Sequence, residues 1–192
     1  MKKLLFLVLF IFPLVGCVPA AILVAGAAGA TLGGAVIYDQ RNYQTMKQDY
    51  NAYSLAQYQL SNDSLLKGQS HISISVFNNI ALLVGEVKTP EMRDYAYQIV
   101  SKIPNIRRIY NEININIPTS AIQQANDAWI TTKARVLILG TPGLRSSNLK
   151  VITQNNVVYL MGIVTPKQAA MVADVARRIS GVTKVIKVFE YE

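Results

Sequence analysis

The alternation of apolar and polar residues predicts two paired strands in the first half of the chain. Residues 71–76 alternate strictly, which is typical of a half-buried strand, and the apolar run 80–87 predicts a second strand. Asn78–Asn79 between them indicates a tight hairpin turn, because asparagine tolerates positive φ. Gly85 lies inside the second strand, at a position where we expect no room for a side chain.

The same pattern returns about 77 residues later, which indicates a duplicated module rather than a short repeat. Asn155–Asn156 again precedes an apolar run, and Thr89–Pro90 and Thr165–Pro166 each predict a helix start, with a capping hydroxyl and proline in the first turn. The remaining predicted elements are preceding helices at about 46–61 and 120–139, and final strands at 109–117 and 182–189. Each copy therefore has the order α-β-β-α-β, with two helices on one face of a three-stranded sheet.

The amino-terminal residues are typical of a secretory signal. Lys2 and Lys3 precede the apolar run 4–15, and a small residue, Gly16, stands before Cys17. The sequence Leu-Val-Gly-Cys resembles the lipobox of bacterial lipoproteins. That resemblance implies removal of residues 1–16 and lipidation of Cys17, with delivery to the outer membrane because residue 18 is valine rather than aspartate.

An uncharged stretch rich in alanine and glycine follows the cysteine. We interpret residues 17–44 as a lipidated tether that lies along the membrane, with a packed helix of small residues as the alternative. The predicted domains are then residues 45–118 and 119–192.

Positive charge is concentrated in the second domain. Residues 121–192 contain nine basic and four acidic residues, whereas the formal net charge of the whole chain is +8. Such asymmetry indicates an anionic partner. An envelope location excludes nucleic acid, which leaves lipid headgroups, lipopolysaccharide or an acidic protein. We expect Arg177–Arg178 to lie at a solvated helix end.

The two copies resemble the BON domain of bacterial envelope proteins. The motif Leu-x-Gly-x-Val occurs at 83–87 and 160–164, each time between the Asn-Asn turn and the capped helix, and 127–133 and 145–151 are the passages most similar to the family. The resemblance implies an α+β fold of two tandem BON domains with mixed three-stranded sheets. It also implies an outer-membrane lipoprotein that faces the periplasm, supports envelope integrity and is enriched at division sites.

Catalytic chemistry finds no support in the sequence. The single histidine, His71, is expected to be a surface residue, and Cys17 is the only cysteine. Scattered acids such as Asp49 and Asp63 are attributed to helix caps and solvation. We therefore predict no enzyme activity, no metal or other cofactor and no small-molecule substrate.

The first helix of the second domain carries two apolar faces. Helical periodicity places Ile130, Ala134 and Ile138 on one stripe, which should face the sheet. Trp129, the only tryptophan, falls on the opposite side together with Ile122, Lys133 and Val136. An apolar second face on a surface helix requires a partner.

We interpret this second face as a site for anionic phospholipid of the outer membrane, and the resemblance to BON lipoproteins implies the same role for this helix. Tryptophan and lysine side by side suit a membrane interface. The predicted lipid-binding residues are Ile122, Trp129, Lys133, Arg135, Val136 and Leu137. One alternative is that Trp129 packs against the first domain. Another is that the protein is an adaptor that docks the outer-membrane protein assembly machinery.

Overall fold

The computed structural model describes residues 41–144 and 146–192. Its elements, in chain order, are α1 (Tyr43–Asn62), β1 (Ser70–Phe77), β2 (Ile80–Val87), α2 (Pro90–Ser101), β3 (Arg108–Ile115), α3 (Ala121–Leu139), a 3-10 turn (Ser146–Asn148), β4 (Leu149–Gln154), β5 (Val157–Val164), α4 (Pro166–Arg177) and β6 (Lys184–Tyr191). The final strand of the second copy begins two residues later than predicted, because Val182 still closes a turn by donating to Ile179 O at 3.1 Å.

Two sheets with the same topology confirm the predicted fold class. The sheet orders are β1-β2-β3 and β4-β5-β6. In each sheet the first pair of strands is antiparallel and the second pair is parallel. We refer to α1 through β3 as module 1 and to α3 through β6 as module 2. Each module is an α-β-β-α-β unit, and the fold is α+β.

The predicted hairpin turns are present in both modules. Asn78 and Asn79 adopt φ of 50° and 62°, and Asn155 and Asn156 adopt 49° and 63°. Two consecutive residues of positive φ form the turn that matches the twist of paired strands. A Cβ atom at Gly85 would overlap the carbonyl oxygen of His71, so the prediction of no space there is confirmed.

Both predicted helix starts are capped as expected. The Thr89 hydroxyl accepts a hydrogen bond from Met92 N at 3.3 Å at the start of α2. At the start of α4 the Thr165 hydroxyl accepts from Gln168 N at 3.2 Å, and the Gln168 side chain accepts from Thr165 N at 3.1 Å. This reciprocal pair is a capping box, which satisfies two backbone donors that the helix itself leaves free.

Each module has its own hydrophobic core between its helices and its sheet. In module 1 the core includes Ala56 from α1, Leu83 from β2 and Val100 from α2. In module 2 it includes Ile130 from α3 and Leu160 from β5. The two helices of each module therefore cover one face of its sheet, as predicted.

A third apolar cluster joins the two modules through the other faces of their sheets. Its buried members are Phe77, Ile80, Leu82, Val84, Tyr159, Met161 and Val188. Strand β2 is buried at every position, because one face meets the helices of its own module and the other meets the second sheet. The order of layers is therefore helices, sheet, sheet, helices.

A buried polar cluster accompanies this contact between the sheets. Glu86 is fully buried, and its carboxylate accepts hydrogen bonds from Gln154 Nε2 at 2.9 Å, from Thr119 N at 3.3 Å and from Asn155 Nδ2. His71 Nδ1 lies 3.5 Å from Glu86 Oε2. His71 is less exposed than expected, with 31% of its side chain accessible, because the second sheet covers part of the face of β1 from which the side chain projects.

The described residues belong to one compact unit that contains all three apolar clusters. A fragment with these residues keeps every core side chain, so we expect it to fold without the preceding segment. The predicted signal (1–16), the lipidation site at Cys17 and all but the last residues of the predicted tether (17–44) lie outside the described residues. Within the part of the chain that the structure describes, no helix has the length and hydrophobicity to span a bilayer.

Candidate functional site

Helix α3 is fixed by a cap at the residue before its start and by a buried stripe along its length. The Ser120 hydroxyl accepts a hydrogen bond from Gln123 N at 3.3 Å, and the helix ends before Gly140. Ile130, Ala134 and Ile138 are buried in the core of module 2, as their spacing predicts. This stripe sets which residues the helix presents outward.

Asp127 holds α3 against the β4–β5 turn. Its carboxylate is buried and accepts hydrogen bonds from Asn155 N at 2.8 Å, from Asn156 N at 2.9 Å and from Gln123 Nε2 at 3.0 Å. Positive φ at both asparagines turns the two backbone N–H groups towards the helix. Because Trp129 follows two residues later, this contact also fixes the direction of the indole.

Module 1 has the same contact between its first helix and its turn. Asp49 in α1 accepts hydrogen bonds from Asn78 N and Asn79 N, both at 2.7 Å. The interpretation of Asp49 as a solvated or capping residue is wrong, because the carboxylate is buried under the turn. The duplication held a signal for this contact, since an aspartate precedes each Asn-Asn pair by nearly the same distance in sequence.

Four of the predicted lipid-binding residues lie on one exposed side of α3. Ile122 is 85% exposed, Trp129 is 50% exposed and Val136 is 63% exposed. Lys133, one helical turn after the tryptophan, places its ammonium 4.7 Å from the centre of the indole ring. We call these four residues the Trp129 face. The indole is thus half exposed rather than sealed beneath module 1, which was the alternative considered from the sequence.

The other two predicted residues lie beside this face or away from it. Leu137 is exposed on its flank. Arg135 is about 120° from Trp129 around the helix axis, and its guanidinium donates to Val151 O at 3.2 Å on β4. Arg135 therefore does not belong to the Trp129 face.

Two further cations of module 2, Lys150 and Arg145, follow α3 closely in the sequence. Lys150 is directed into the contact between the modules, where its Nζ donates to Val76 O at 3.4 Å and lies 5.9 Å from the ring of Tyr53. Burial lowers the pKa of Lys150 to about 8. Arg145 lies outside the described residues. Lys133 is thus the cation on the Trp129 face itself.

The titratable residues that the structure describes form no site for metal or acid–base chemistry. Residues 41–144 and 146–192 contain no group of three or more His, Cys, Asp or Glu side chains placed to hold a metal ion. The buried acids Asp49, Asp127 and Glu86 are occupied by the hydrogen bonds described above. What the geometry offers is an apolar surface with a cation stacked on its aromatic ring.

Comparison with known proteins gives a family match and relatives of similar length. The BON domain family matches residues 57–116 and 126–192. The outer membrane lipoprotein DolP of Haemophilus influenzae is 31% identical over 191 residues, which cover 100% of this chain and 96% of that protein. The 21 kDa hemolysin of Actinobacillus pleuropneumoniae is 34% identical over 80% of this chain and 79% of that protein.

Similarity to solved structures is more remote. CdsD, a structural protein of the type III secretion system of Chlamydia trachomatis, aligns with a TM-score of 0.31 at 10% identity. The alignment covers 74% of this chain and 91% of that chain. A likeness of this degree bears on neither fold nor function.

Proposed function

This chain belongs to the BON-domain family, in the DolP group of outer-membrane lipoproteins, and from that premise we propose that it binds anionic phospholipid through the Trp129 face. In this proposal the protein supports outer-membrane integrity from the periplasmic side and catalyses no reaction. The observation that carries the proposal is the exposure of Ile122, Trp129 and Val136 along one side of α3, with Lys133 over the indole.

The side chains of the Trp129 face are of the kinds that a membrane interface favours. Indole is favoured at headgroup depth, where its ring meets apolar atoms and its N–H meets water or phosphate. A lysine stem lies along apolar surface and carries its ammonium to the phosphate level. From Ile122 to Val136 the face extends about 21 Å along the helix, so the helix would lie flat in the interface.

Insertion of apolar groups must supply much of the affinity, because few of the basic side chains of module 2 lie on the Trp129 face. A cation near an anionic surface contributes about 1 kcal/mol. Lys133 is placed to make this contribution. Arg135 is instead hydrogen-bonded to β4, and Lys150 is hydrogen-bonded to Val76 O in the contact between the modules. We therefore expect binding that requires anionic lipid but weakens only moderately with salt.

Lipidation at Cys17 would compensate for a modest affinity of the helix. Acyl chains on the cysteine would hold the protein at the membrane, and the tether would keep α3 at high effective concentration near the leaflet. Enrichment of anionic lipid at division sites would then draw the protein there. A fluorescent fusion that stayed uniform around dividing cells would contradict this part of the proposal.

Vesicle flotation of a fragment of residues 37–192 tests the central claim. The fragment should float with vesicles that contain phosphatidylglycerol and stay behind with vesicles of phosphatidylcholine alone. Trp129→Glu and Lys133→Glu should each abolish flotation, because each places a carboxylate at the interface. Tyr97→Glu is the matched control, since Tyr97 is an exposed aromatic residue on a helix of module 1.

Equal flotation of parent and both α3 variants would remove the proposal. If the parent fails to float and a photo-crosslinker at position 129 captures a protein in the envelope, the adaptor function is favoured instead.

A further inference from the structure

A basic groove runs along the outer edge of the second sheet, between α4 and β6. Its volume is about 320 Å³. It is lined by Ala173, Arg177, Val182, Thr183, Lys184, Val185 and Lys187. Since α3 packs over β4 and α4 packs over β6, this groove and the Trp129 face lie towards opposite edges of the sheet.

Strand β6 presents an open edge beside this groove. It pairs with β5 along its whole length, and no other strand among the described residues pairs with its outer side. Half of its backbone N–H and C=O groups therefore point away from the sheet. Such an edge accepts an additional strand unless something prevents it.

The groove carries positive charge that the protein's own acids neutralise only in part. Lys184 and Lys187 are exposed, and neither forms a hydrogen bond or ion pair with another described residue. Arg177 shares the carboxylate of Asp174 with Arg178. Much of the basic excess of the second domain thus collects along this edge, and the Trp129 face does not use it.

Module 1 shows that the fold itself does not require the charges of Arg177 and Lys187. Lys187 pairs with Leu160 in the second sheet, and the equivalent pair in the first sheet is Asn111 with Leu83. Arg177 is the last residue of α4, and the last residue of α2 is Ser101. The same architecture therefore stands with neutral residues at both positions.

We propose that the groove binds an extended acidic segment of a partner protein, which adds to β6 as a fourth strand. Side chains of such a strand alternate between the two faces of the sheet. On the helix side, acidic residues would meet Arg177 and Lys187. On the other side, apolar residues would continue the surface formed by Ile186. A lipid headgroup could meet the cations but would leave the strand edge unpaired.

Binding of a synthetic peptide tests this proposal. A labelled peptide in which Glu alternates with Val should bind the 37–192 fragment, while a peptide of alternating Lys and Val should not. The double variant Arg177→Ser with Lys187→Asn, which copies the residues of module 1, should weaken binding by roughly tenfold or more. Lys88→Asn with Lys102→Asn removes the same charge from exposed positions of module 1 and should leave binding unchanged.

Hydrogen exchange separates strand addition from loose electrostatic contact. The bound peptide should slow amide exchange in β6, and Trp129→Glu should leave peptide binding unchanged, so failure of the lipid proposal would not affect this one. Equal peptide binding by parent and groove variant would overturn the proposal, and so would unaltered exchange in β6. Loss of vesicle binding by the groove variant, with peptide binding retained, would identify the groove as a lipid contact and also overturn it.

Discussion

Asp127 shows how one side chain can set the direction of a functional surface. It accepts hydrogen bonds from two consecutive backbone N–H groups of the β4–β5 turn. A hydrogen bond to a charged group contributes about 1.5–3 kcal/mol, so Asp127→Ala should lower the free energy of unfolding by at least about 2 kcal/mol. Urea denaturation measures this change. Asp174→Ala, which removes an exposed acid, should cost less than about 1 kcal/mol.

Lys150 should give the protein a measurable dependence of stability on pH. Burial lowers its pKa from 10.5 to about 8. Between these values the unfolded chain holds the proton that the folded chain has released, so stability due to this group rises with pH. The free energy of unfolding of the parent should rise by roughly 1–3 kcal/mol relative to Lys150→Met across this window. A constant difference between the two proteins would show that the ammonium is solvated in the folded state.

The sequence did not predict the hydrogen bond of Arg135 to β4 or the burial of Lys150. Helical periodicity decides which side of α3 a residue occupies, but it does not tell which backbone carbonyl a long side chain will reach. Lys150 depends on even more distant structure, because its burial comes from module 1 packing over β4. Trp129 was predictable because it required only the direction of the buried stripe on its own helix.

At the scale of elements, a glycine at the same point of each hairpin fixes how closely the first two strands approach. A Cβ at Gly162 would overlap Asn148 O, and one at Gly85 would overlap His71 O. Gly162→Ala should destabilise the protein by about 1–3 kcal/mol. Gly85→Ala should cost more, because Gly85 also has φ of +129°. Gly140→Ala, which meets only ordinary contacts, should change stability by less than about 0.5 kcal/mol in the same urea titrations.

The order and bounds of the elements could largely be predicted because the same residue pattern occurs twice in the chain. Each Asn-Asn pair, each apolar run and each Thr-Pro start supported the assignment of its copy. The helix–turn contact of Asp49 and Asp127 was not predicted, because aspartate in a helix has many ordinary explanations. The contact becomes predictable only when the two copies are compared, because the aspartate precedes the Asn-Asn pair by nearly the same distance in both.

At the scale of the whole molecule, the contact between the two sheets was not predicted, although the sequence contained a sign of it. Strands that face solvent on one side alternate between apolar and polar residues, whereas strands covered on both sides are apolar throughout. Residues 80–84 and 157–161 are entirely apolar, and the structure covers both faces of β2 and β5. Helices cover only one face of each sheet, so a strand that is apolar throughout indicates that the opposite face is covered as well.

Because the sheets share one apolar cluster, the two modules should unfold together. Leu83→Ala removes a buried side chain from the core of module 1 and should cost about 2–5 kcal/mol. Trp129 is the only tryptophan and reports on module 2, so its fluorescence should shift to a lower urea midpoint, by as much as the circular dichroism signal of the whole fragment. Leu65→Ala, at an exposed position, should move neither midpoint appreciably.

If the tryptophan midpoint stays in place while circular dichroism splits into two transitions, the modules are independent. The buried faces of β2 and β5 would then contribute to solubility rather than to cooperativity.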